Sequence, residues 1–263
     1  MTTDPDGAVT TERRGNLFLI CLDRPAKLNG FTPKMMIELA RAYTEFERDD
    51  AMRCAVLHAA GAHFTAGLDL PKIAPYMQRG ERIVPEGCVD ALDLRDPRRT
   101  KPVVAAVKGI TYTIGIELML AADVVVAASD CRFSQLEVKR GIMATGGATL
   151  RMVERAGWGN AMLHLLTGDE FDAEAALRLG FVQRIVAPGR ELDEALSIAG
   201  AIAAQAPLAV KATRANALLA LESGFAAAKE RFEATQRGLA QSEDAAEGVC
   251  SFVEKREPRF TGS

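Results

Sequence analysis

The chain has 263 residues, of which 48% are hydrophobic and 25% are charged, and this composition is typical of a globular protein rather than a disordered or fibrous one. Its 32 Lys and Arg residues against 35 Asp and Glu residues give a net charge of −3, which argues against a positive field that would attract nucleic acid or an anionic membrane. We therefore expect neither a nucleic-acid partner nor a membrane partner.

Targeting and metal-binding signals are weak. The first 14 residues lack the apolar run of a signal peptide, and the longest uncharged stretch, Ala195 to Val210, is shorter than the roughly 20 residues of a membrane span. The five cysteines are scattered without a CxxC pair, and the three histidines form no HExxH or HxH arrangement. The sequence therefore predicts a cytoplasmic protein with free thiols and without a metal site.

Predicted strands and helices alternate along the first half of the chain. Thr32 can cap a helix and Pro33 suits the first helical position, where the missing N–H costs nothing, so a helix begins there. Short apolar runs predict four strands, over residues 16–22, 53–60, 103–108 and 123–128. This alternation predicts an α/β fold.

The chain also contains one irregular segment and a helical tail. Residues 70–100 are rich in charge and contain four prolines, which predicts a partly helical, mobile excursion of the kind that often covers a site. Later, an Ala-rich pattern continues almost to the end, with Pro207 opening one helix and Gly224 breaking the next. We expect a core over residues 1–200 and a helical region over residues 201–263.

One acidic residue stands in an apolar environment. The sequence contains no GxSxG elbow, no GxxxxGK[ST] phosphate loop and no GxGxxG after a strand, which argues against a serine hydrolase, a nucleotide kinase and a Rossmann enzyme. Between Lys108 and Asp123, however, the only charged residue is Glu117. Glu117 either reaches solvent or a buried Arg, or it is a carboxyl whose pKa is raised by apolar surroundings for proton transfer.

Two further features have both a structural and a functional interpretation. Glu137 lies beside Lys139 and Arg140, so it is either a surface ion-pair partner or an active-site acid. In the string HFTAGLDL at 63–70, the small residues predict a tight turn, which can also aim backbone N–H groups outward before a helix. Neither feature alone indicates a function.

Taken together, six strings resemble the enoyl-CoA hydratase/isomerase, or crotonase, superfamily. They are DRPAKLNG at 23–30, GAHFTAGLDL at 61–70, KPVVAAVKGITYTIGIELMLAADVVVA at 101–127, FSQLEVKRGIMATGGA at 133–148, LTGDEFDAEAALRLGFV at 166–182, and EGVCSFVEKREPRF at 247–260. The resemblance covers nearly the whole chain. It implies an α/β, crotonase-like ββα spiral core with a helical C-terminal oligomerisation region.

The resemblance also implies a mechanism. Two backbone N–H groups, matched here by Ala66 and Ile114, form an oxyanion hole for the thioester carbonyl, and Glu117 and Glu137 hold a water that adds to a 2-enoyl-CoA. The protein would be a carbon–oxygen lyase of the enoyl-CoA hydratase kind. Ile114 departs from the small residue that is usual there, and its branched side chain would resist a positive φ.

The ligand contacts that the resemblance implies come from three parts of the chain. Coenzyme A enters as part of the thioester substrate, with no separate cofactor. Its expected contacts are Ala26, Lys27 and Leu28 at the adenine end, Ala66, Gly67, Leu68, Asp69 and Leu70 along the pantetheine, and Phe252 and Lys255 from a neighbouring subunit. Solvated charge is the alternative interpretation of Lys27 and Lys255, and it is the favoured one for Arg95, Arg98, Arg99 and Lys101.

The resemblance also implies an oligomer, and two alternatives to hydration stay open. Family members form trimers, often paired into hexamers, and apolar residues of the tail such as Phe225 and Phe232 suit such packing. The alternatives to hydration are a double-bond isomerase that uses Glu137 alone, and a CoA-ester-binding homologue with little activity because Ile114 spoils the oxyanion hole. Chain length and type of the acyl group are open.

Overall fold

The computed structural model describes residues 4–263, over which strands and helices alternate in an α/β fold, as predicted. A six-stranded sheet has the order β1-β2-β3-β4-β6-β9, and a three-stranded sheet has the order β5-β7-β8. The strands are β1 (Ala8–Arg14), β2 (Leu17–Asp23), β3 (Cys54–Ala59), β4 (Val103–Val107), β5 (Ile110–Tyr112), β6 (Val124–Ala128), β7 (Arg132–Ser134), β8 (Phe171–Asp172) and β9 (Arg184–Val186).

Ten α-helices surround the sheets in the described part of the chain. They are α1 (Pro33–Arg48), α2 (Leu70–Arg79), α3 (Ile114–Ala121), α4 (Ala148–Ala156), α5 (Trp158–Thr167), α6 (Ala173–Arg178), α7 (Glu191–Ala203), α8 (Pro207–Glu230), α9 (Phe232–Ala240) and α10 (Glu243–Glu254). Two short 3-10 helices span Pro25–Lys27 and Glu137–Arg140.

The four predicted strands are confirmed as β2, β3, β4 and β6. Alternating burial of their side chains explains why they form. In β2, Phe18, Ile20 and Leu22 point into the main core, whereas Leu19 points to the opposite face of the sheet. That face is covered by α7, which packs against β3, β4 and β6. Each fully buried side chain of this size contributes roughly 1.5–3 kcal/mol, so both faces of the sheet are stabilised by burial.

Strand β1 was not predicted from the sequence. It pairs antiparallel with β2 from Ala8 opposite Asp23 to Arg14 opposite Leu17, and its last five residues are exposed. An edge strand with polar side chains lacks the apolar alternation that identifies a half-buried strand, so its pairing comes from the backbone of β2.

Both ends of α1 are satisfied by specific groups. The Thr32 hydroxyl accepts a hydrogen bond from the Met35 N–H at 3.2 Å, which confirms the predicted cap. At the other end, the Lys101 ammonium donates to the carbonyls of Phe46 and Asp49 at 2.9 and 2.7 Å. A cation at a helix C-terminus is favourable because unpaired carbonyls and the helix dipole point toward it.

In the basic group near residue 100, Arg95 is exposed as predicted, but Arg99 and Lys101 are not solvated, so the sequence interpretation is wrong for these two residues. Arg99 and Lys101 are each 2% exposed. Arg99 pairs with Asp123 at 2.6 Å, and Arg214 of α8 pairs with Asp123 at 2.9 Å and also with Asp93. Burial of these cations is stable because carboxylates and carbonyls neutralise them, and the network ties α8 to the segment before β4.

The irregular segment and the tail fold largely as predicted. Within residues 70–100, α2 is helical and has Pro75 inside it. Pro207 is the first residue of α8, and Gly224 interrupts that helix with φ 87° and ψ 166°, where a residue without Cβ is unstrained. Among residues 4–263, no single helix is long and apolar enough to cross a membrane. The pair α7 and α8, bent by 106° between the two helices, reaches the required length and apolar composition only when taken together.

Candidate active site

Glu117 and Glu137 line one cavity with a volume of about 490 Å³. Its walls come from α2 and the chain that follows it, the first turn of α3, the 3-10 helix Glu137–Arg140, and residues 142–146. Most of the lining side chains are aliphatic, among them Ile73, Leu92 and Met143. Seven charged residues also line it, Glu117 and Glu137 among them. A mainly aliphatic cavity of this size with polar groups at specific places is typical of a small-molecule site.

The Glu117 carboxyl is buried in a helix that is apolar on all sides. All eight residues of α3 are buried, and Glu117 is 5% exposed. Its Oε1 accepts hydrogen bonds from the N–H groups of Gly146 at 2.6 Å and Ala148 at 3.4 Å, just before and at the start of α4. The alternatives of solvent exposure and of an Arg pair are therefore wrong within the described residues, whereas a role of Glu117 in proton transfer stays a prediction.

Burial sets the protonation of Glu117. Loss of hydration raises its pKa to about 7, and the negative charge of Glu137 acts in the same direction. The two backbone N–H groups and the positive charge of Arg151 oppose this rise. A carboxyl with such a pKa exchanges a proton near neutral pH, as general acid–base work requires.

Glu137 is the second acid of the cavity. It begins the 3-10 helix Glu137–Arg140, and its Oε2 is buried without a hydrogen-bond partner among residues 4–263. Burial raises its pKa as well. The surface ion-pair interpretation is wrong, because the neighbouring Lys139 pairs with Asp169 at 3.3 Å instead.

The predicted N–H donor at Ala66 needs correction. The Ala66 N–H donates to the Leu28 carbonyl at 2.9 Å, so it is not free for a ligand. Two residues further on, Leu68 also lines the cavity, and its N–H has no acceptor within residues 4–263. Phe31 bonds to the carbonyl of Gly67 and the N–H of Asp69, on either side of Leu68, which leaves the Leu68 N–H on the opposite side of the chain. Leu68 is therefore the donor available in this turn.

Ile114 does not carry the strain that the sequence suggested. It is the first residue of α3 and lines the cavity, and its N–H has no acceptor in the described chain, as is usual in a first helical turn. The positive φ falls on Thr113 instead, at φ 50° and ψ −116°. The Thr113 hydroxyl is buried without a hydrogen bond among residues 4–263. It lies against Gly67 and leaves no room there for the Cβ of a larger residue.

Replacing Thr113 by glycine is expected to stabilise the protein. A non-glycine residue in this region of φ and ψ raises the free energy of the folded state by about 1–3 kcal/mol. Glycine removes this strain, and the larger conformational entropy of the unfolded chain with glycine offsets only part of the gain. We therefore expect Thr113→Gly to raise the free energy of unfolding by about 1 kcal/mol in a urea titration. Thr149→Gly, in the regular helix α4, is the matched control and should lower it by a similar amount. A lower unfolding free energy for Thr113→Gly would contradict the assignment of strain.

The residues predicted to contact coenzyme A form two groups, residues 26–28 with residues 66–70, and Phe252 with Lys255. Ala26, Lys27 and Leu28 are exposed, and the bond from the Ala66 N–H to the Leu28 carbonyl holds this strip beside the 66–70 turn, from which Ala66, Leu68 and Leu70 line the cavity.

Two of the remaining predicted contacts, Gly67 and Asp69, differ from expectation. Both backbone polar groups of Gly67 are hydrogen-bonded, and the Asp69 carboxylate pairs with Arg24 at 2.8 Å, so its side chain holds the turn rather than a ligand. Phe252 and Lys255, in and after α10, do not line the cavity of their own chain.

Sequence analysis missed the groups that hold Glu117. Gly146 and Ala148 supply its hydrogen bonds, and Arg151 its nearby positive charge. The signal was present in MATGGA at 143–148, because adjacent glycines before a helix allow backbone N–H groups to approach another chain segment closely.

Comparisons with known proteins identify the family and the fold of the chain. Residues 12–263 match the family described as enoyl-CoA hydratase/isomerase. The enoyl-CoA hydratase EchA19 of Mycobacterium tuberculosis is 35% identical, covering 97% of this chain and 96% of its own. Carnitinyl-CoA dehydratase of Salmonella arizonae is 34% identical, with 95% and 97% covered. The crystal structure of a probable enoyl-CoA hydratase/isomerase from Mycobacterium abscessus superposes with a TM-score of 0.95 at 47% identity, covering 97% and 98% of the two chains.

Proposed function

The chain belongs to the enoyl-CoA hydratase/isomerase (crotonase) family, and we propose that it adds water across the 2,3 double bond of a 2-enoyl-CoA thioester to give a 3-hydroxyacyl-CoA. It has the crotonase fold and is a hydratase-like enzyme of coenzyme A esters. The observation that carries the proposal is that Glu117, which is buried, and Glu137, which is half-buried, line one mainly aliphatic cavity.

The thioester carbonyl is proposed to bind at the N–H groups of Leu68 and Ile114. As water adds at C3, negative charge develops on this oxygen, and fixed N–H dipoles stabilise it more than water would because they are already oriented. Ile114 also places the oxygen at the N-terminus of α3, where the helix dipole favours negative charge. In analogous sites each such donor contributes roughly 3–4 kcal/mol to transition-state stabilisation.

The two carboxyl groups are proposed to share the proton transfers. One, as carboxylate, takes a proton from the water whose oxygen bonds to C3, and the other, as carboxylic acid, gives its proton to C2. Mutual repulsion favours a single negative charge on such a pair, so Glu117 and Glu137 titrate together rather than separately. No cofactor beyond the coenzyme A of the substrate is proposed, and the five free thiols suit a cytoplasmic location.

The direct test is to follow the loss of 2-enoyl-thioester absorbance with purified protein and a series of 2-enoyl-CoA substrates of different acyl length. Turnover to the 3-hydroxyacyl product supports the proposal, and the chain-length preference identifies the acyl group. Binding of CoA esters without turnover of any of them contradicts it.

Two alternatives make different predictions in the same assay. An isomerase that uses Glu137 alone would shift the double bond and form no hydroxyacyl product. A binding protein with a spoiled oxyanion hole would bind CoA esters without turnover, and Ile114→Gly would then awaken activity. The helical backbone and free N–H of Ile114 remove the motive for that second alternative.

We also propose that residues 201–263 form the oligomerisation region of a homotrimer, or of a dimer of trimers. Large apolar side chains of α8, α9 and α10 are exposed in the single chain, namely Leu221, Phe225, Phe232, Val249, Phe252 and Val253. Such a surface is unfavourable in water and suits contact with further copies. Phe252 and Lys255 would then contact the nucleotide end of a substrate bound to a neighbouring subunit.

Sedimentation tests this assembly. We expect a species of three or six times the 28.3 kDa chain mass at micromolar concentration. Phe225→Asp should shift it toward smaller species, because a charge in an apolar contact is costly to bury. A 28.3 kDa species of the wild-type chain at that concentration would rule out the trimer.

A further inference from the structure

Arg151 connects the groups around Glu117 to the wall of the cavity. It projects from α4, just after the residues that donate hydrogen bonds to Glu117, and its Nη2 donates to the carbonyls of Leu92 and Asp93 at 2.8 and 3.3 Å. Its Nη1 packs against Gly147, where a Cβ would displace it. Through this one side chain, the turn beside Glu117 is joined to the segment that contributes Leu92 and Leu94 to the cavity.

Within the described residues, the positive charge of Arg151 has no carboxylate in direct contact. Its Nη1 is buried without a hydrogen bond among residues 4–263. Asp93, the nearest acid on the segment that it contacts, pairs instead with Arg98 at 3.3 Å and with Arg214. A buried guanidinium normally recovers its lost hydration by pairing with a carboxylate, so a charge left unpaired here needs another explanation.

We propose that Arg151 is a positioning residue for Glu117, which fixes the Gly146–Ala148 turn against the cavity wall and supplies the positive charge that favours the ionised carboxylate of Glu117. The inference rests on the proposed function, because it concerns the acid–base role of Glu117. Glu117 faces a like charge from Glu137, and the Arg151 charge opposes that repulsion across a medium that screens it weakly.

The other charges near Arg151 do not replace it in this role. The acidic and basic groups acting on it are Asp90, Asp93, Arg98 and Arg99 from the segment before β4, and Arg155 acts on it from α4. Asp90 is engaged with the N–H groups of Leu92, Leu94 and Arg95, and Arg99 is paired with Asp123. Among these cations, Arg151 is the one whose charge lowers the pKa of Glu117 most.

Two substitutions separate the charge of Arg151 from its hydrogen bonds. Arg151→Gln keeps an N–H donor for the carbonyls but removes the charge, so the limb of the pH profile of kcat that reports the coupled pair of Glu117 and Glu137 should move up by about half a pH unit or more. The sign follows because losing a positive charge favours the protonated carboxyl. Arg151→Lys keeps the charge, so its midpoint should stay at the wild-type value while kcat falls several-fold, since the planar fork is lost.

Arg155→Gln is the matched control. Arg155 is a half-buried arginine of α4 that donates to one carbonyl, that of Leu120, at 2.7 Å, and its charge acts on Glu117 less than that of Arg151 does. It should lower stability without moving the pH limb. If Arg151→Gln does not fold, Arg151→Met serves as the second neutral variant. Equal midpoints in the wild type and the neutral variant, or equal shifts in the Lys and Gln variants, would overturn the inference.

A readout without turnover separates this inference from the proposed function. The titration of the Glu117 carboxyl carbon can be followed by ¹³C NMR with labelled glutamate, with Glu117→Gln to assign the signal. Its midpoint should be higher in Arg151→Gln than in the wild type or in Arg155→Gln. If no 2-enoyl-CoA is hydrated but the carbon midpoint moves, the proposed function fails and the Arg151 inference stands.

Discussion

Glu117→Gln is expected to lower kcat for hydration by a factor of about 10² or more, with a much smaller change in KM. Glutamine has nearly the same shape, and its carbonyl oxygen can still accept the hydrogen bond that Gly146 donates at 2.6 Å. It cannot gain or lose a proton near neutral pH, however. Because substrate contacts are retained and proton transfer is removed, the loss should fall on the chemical step.

The same assay on Glu137→Gln tests the two-acid mechanism. If both carboxyl groups take part in the same pair of proton transfers, either substitution stops these transfers. The kcat of the double variant should then be hardly lower than that of each single variant. Glu154→Gln on the exposed face of α4 is the control for loss of one carboxylate and should keep wild-type turnover. A Glu117→Gln variant with near-normal turnover would contradict hydration and favour the isomerase that uses Glu137 alone.

The parts of the fold predicted from sequence are those that depend on local chemistry. The cap at Thr32, the proline at Pro33 and the apolar runs of β2 to β4 act within a few residues, so pattern and structure agree. Lys101 shows the limit of this reasoning. Its burial depends on the end of α1, more than 50 residues earlier in the chain, which no local pattern reveals.

The site follows the same rule. Glu117 could be predicted because a single acid in an apolar helix has few favourable explanations. The choice between Ala66 and Leu68 could not, because it depends on which N–H groups the neighbouring chain at Leu28 and Phe31 already occupies. Likewise the strain at Thr113 rather than Ile114 depends on where the backbone turns into α3, and a helix boundary is poorly defined by sequence alone.

Gly146→Ala is expected to reduce kcat about as strongly as removing the acid itself, although it changes no ionisable group. A Cβ at position 146 would lie 2.6 Å from the Glu117 Cδ and nearer still to its Oε2, closer than real contacts allow. The carboxyl ends a flexible side chain that lines the cavity, so it can relieve this clash only by leaving its present position there. It must therefore shift relative to the water and to Glu137, and a displacement of about 1 Å at a reacting group can cost roughly 10²-fold in rate.

The backbone at Gly146 makes this a test of space rather than of strain. Its φ is not positive, so alanine adopts the same conformation, and overpacking should lower the free energy of unfolding by only about 1–3 kcal/mol. Gly159→Ala in α5, with no heavy atom near its Cβ position, is the matched control and should keep wild-type kcat. Steady-state kinetics, measured together with the binding of a saturated acyl-CoA, distinguishes a loss of turnover from a loss of the binding site. Binding should survive in Gly146→Ala while turnover falls. Wild-type kcat in a folded Gly146→Ala protein would mean that the position of the Glu117 carboxyl does not limit the reaction, and Glu137 would then have to supply the proton transfers alone.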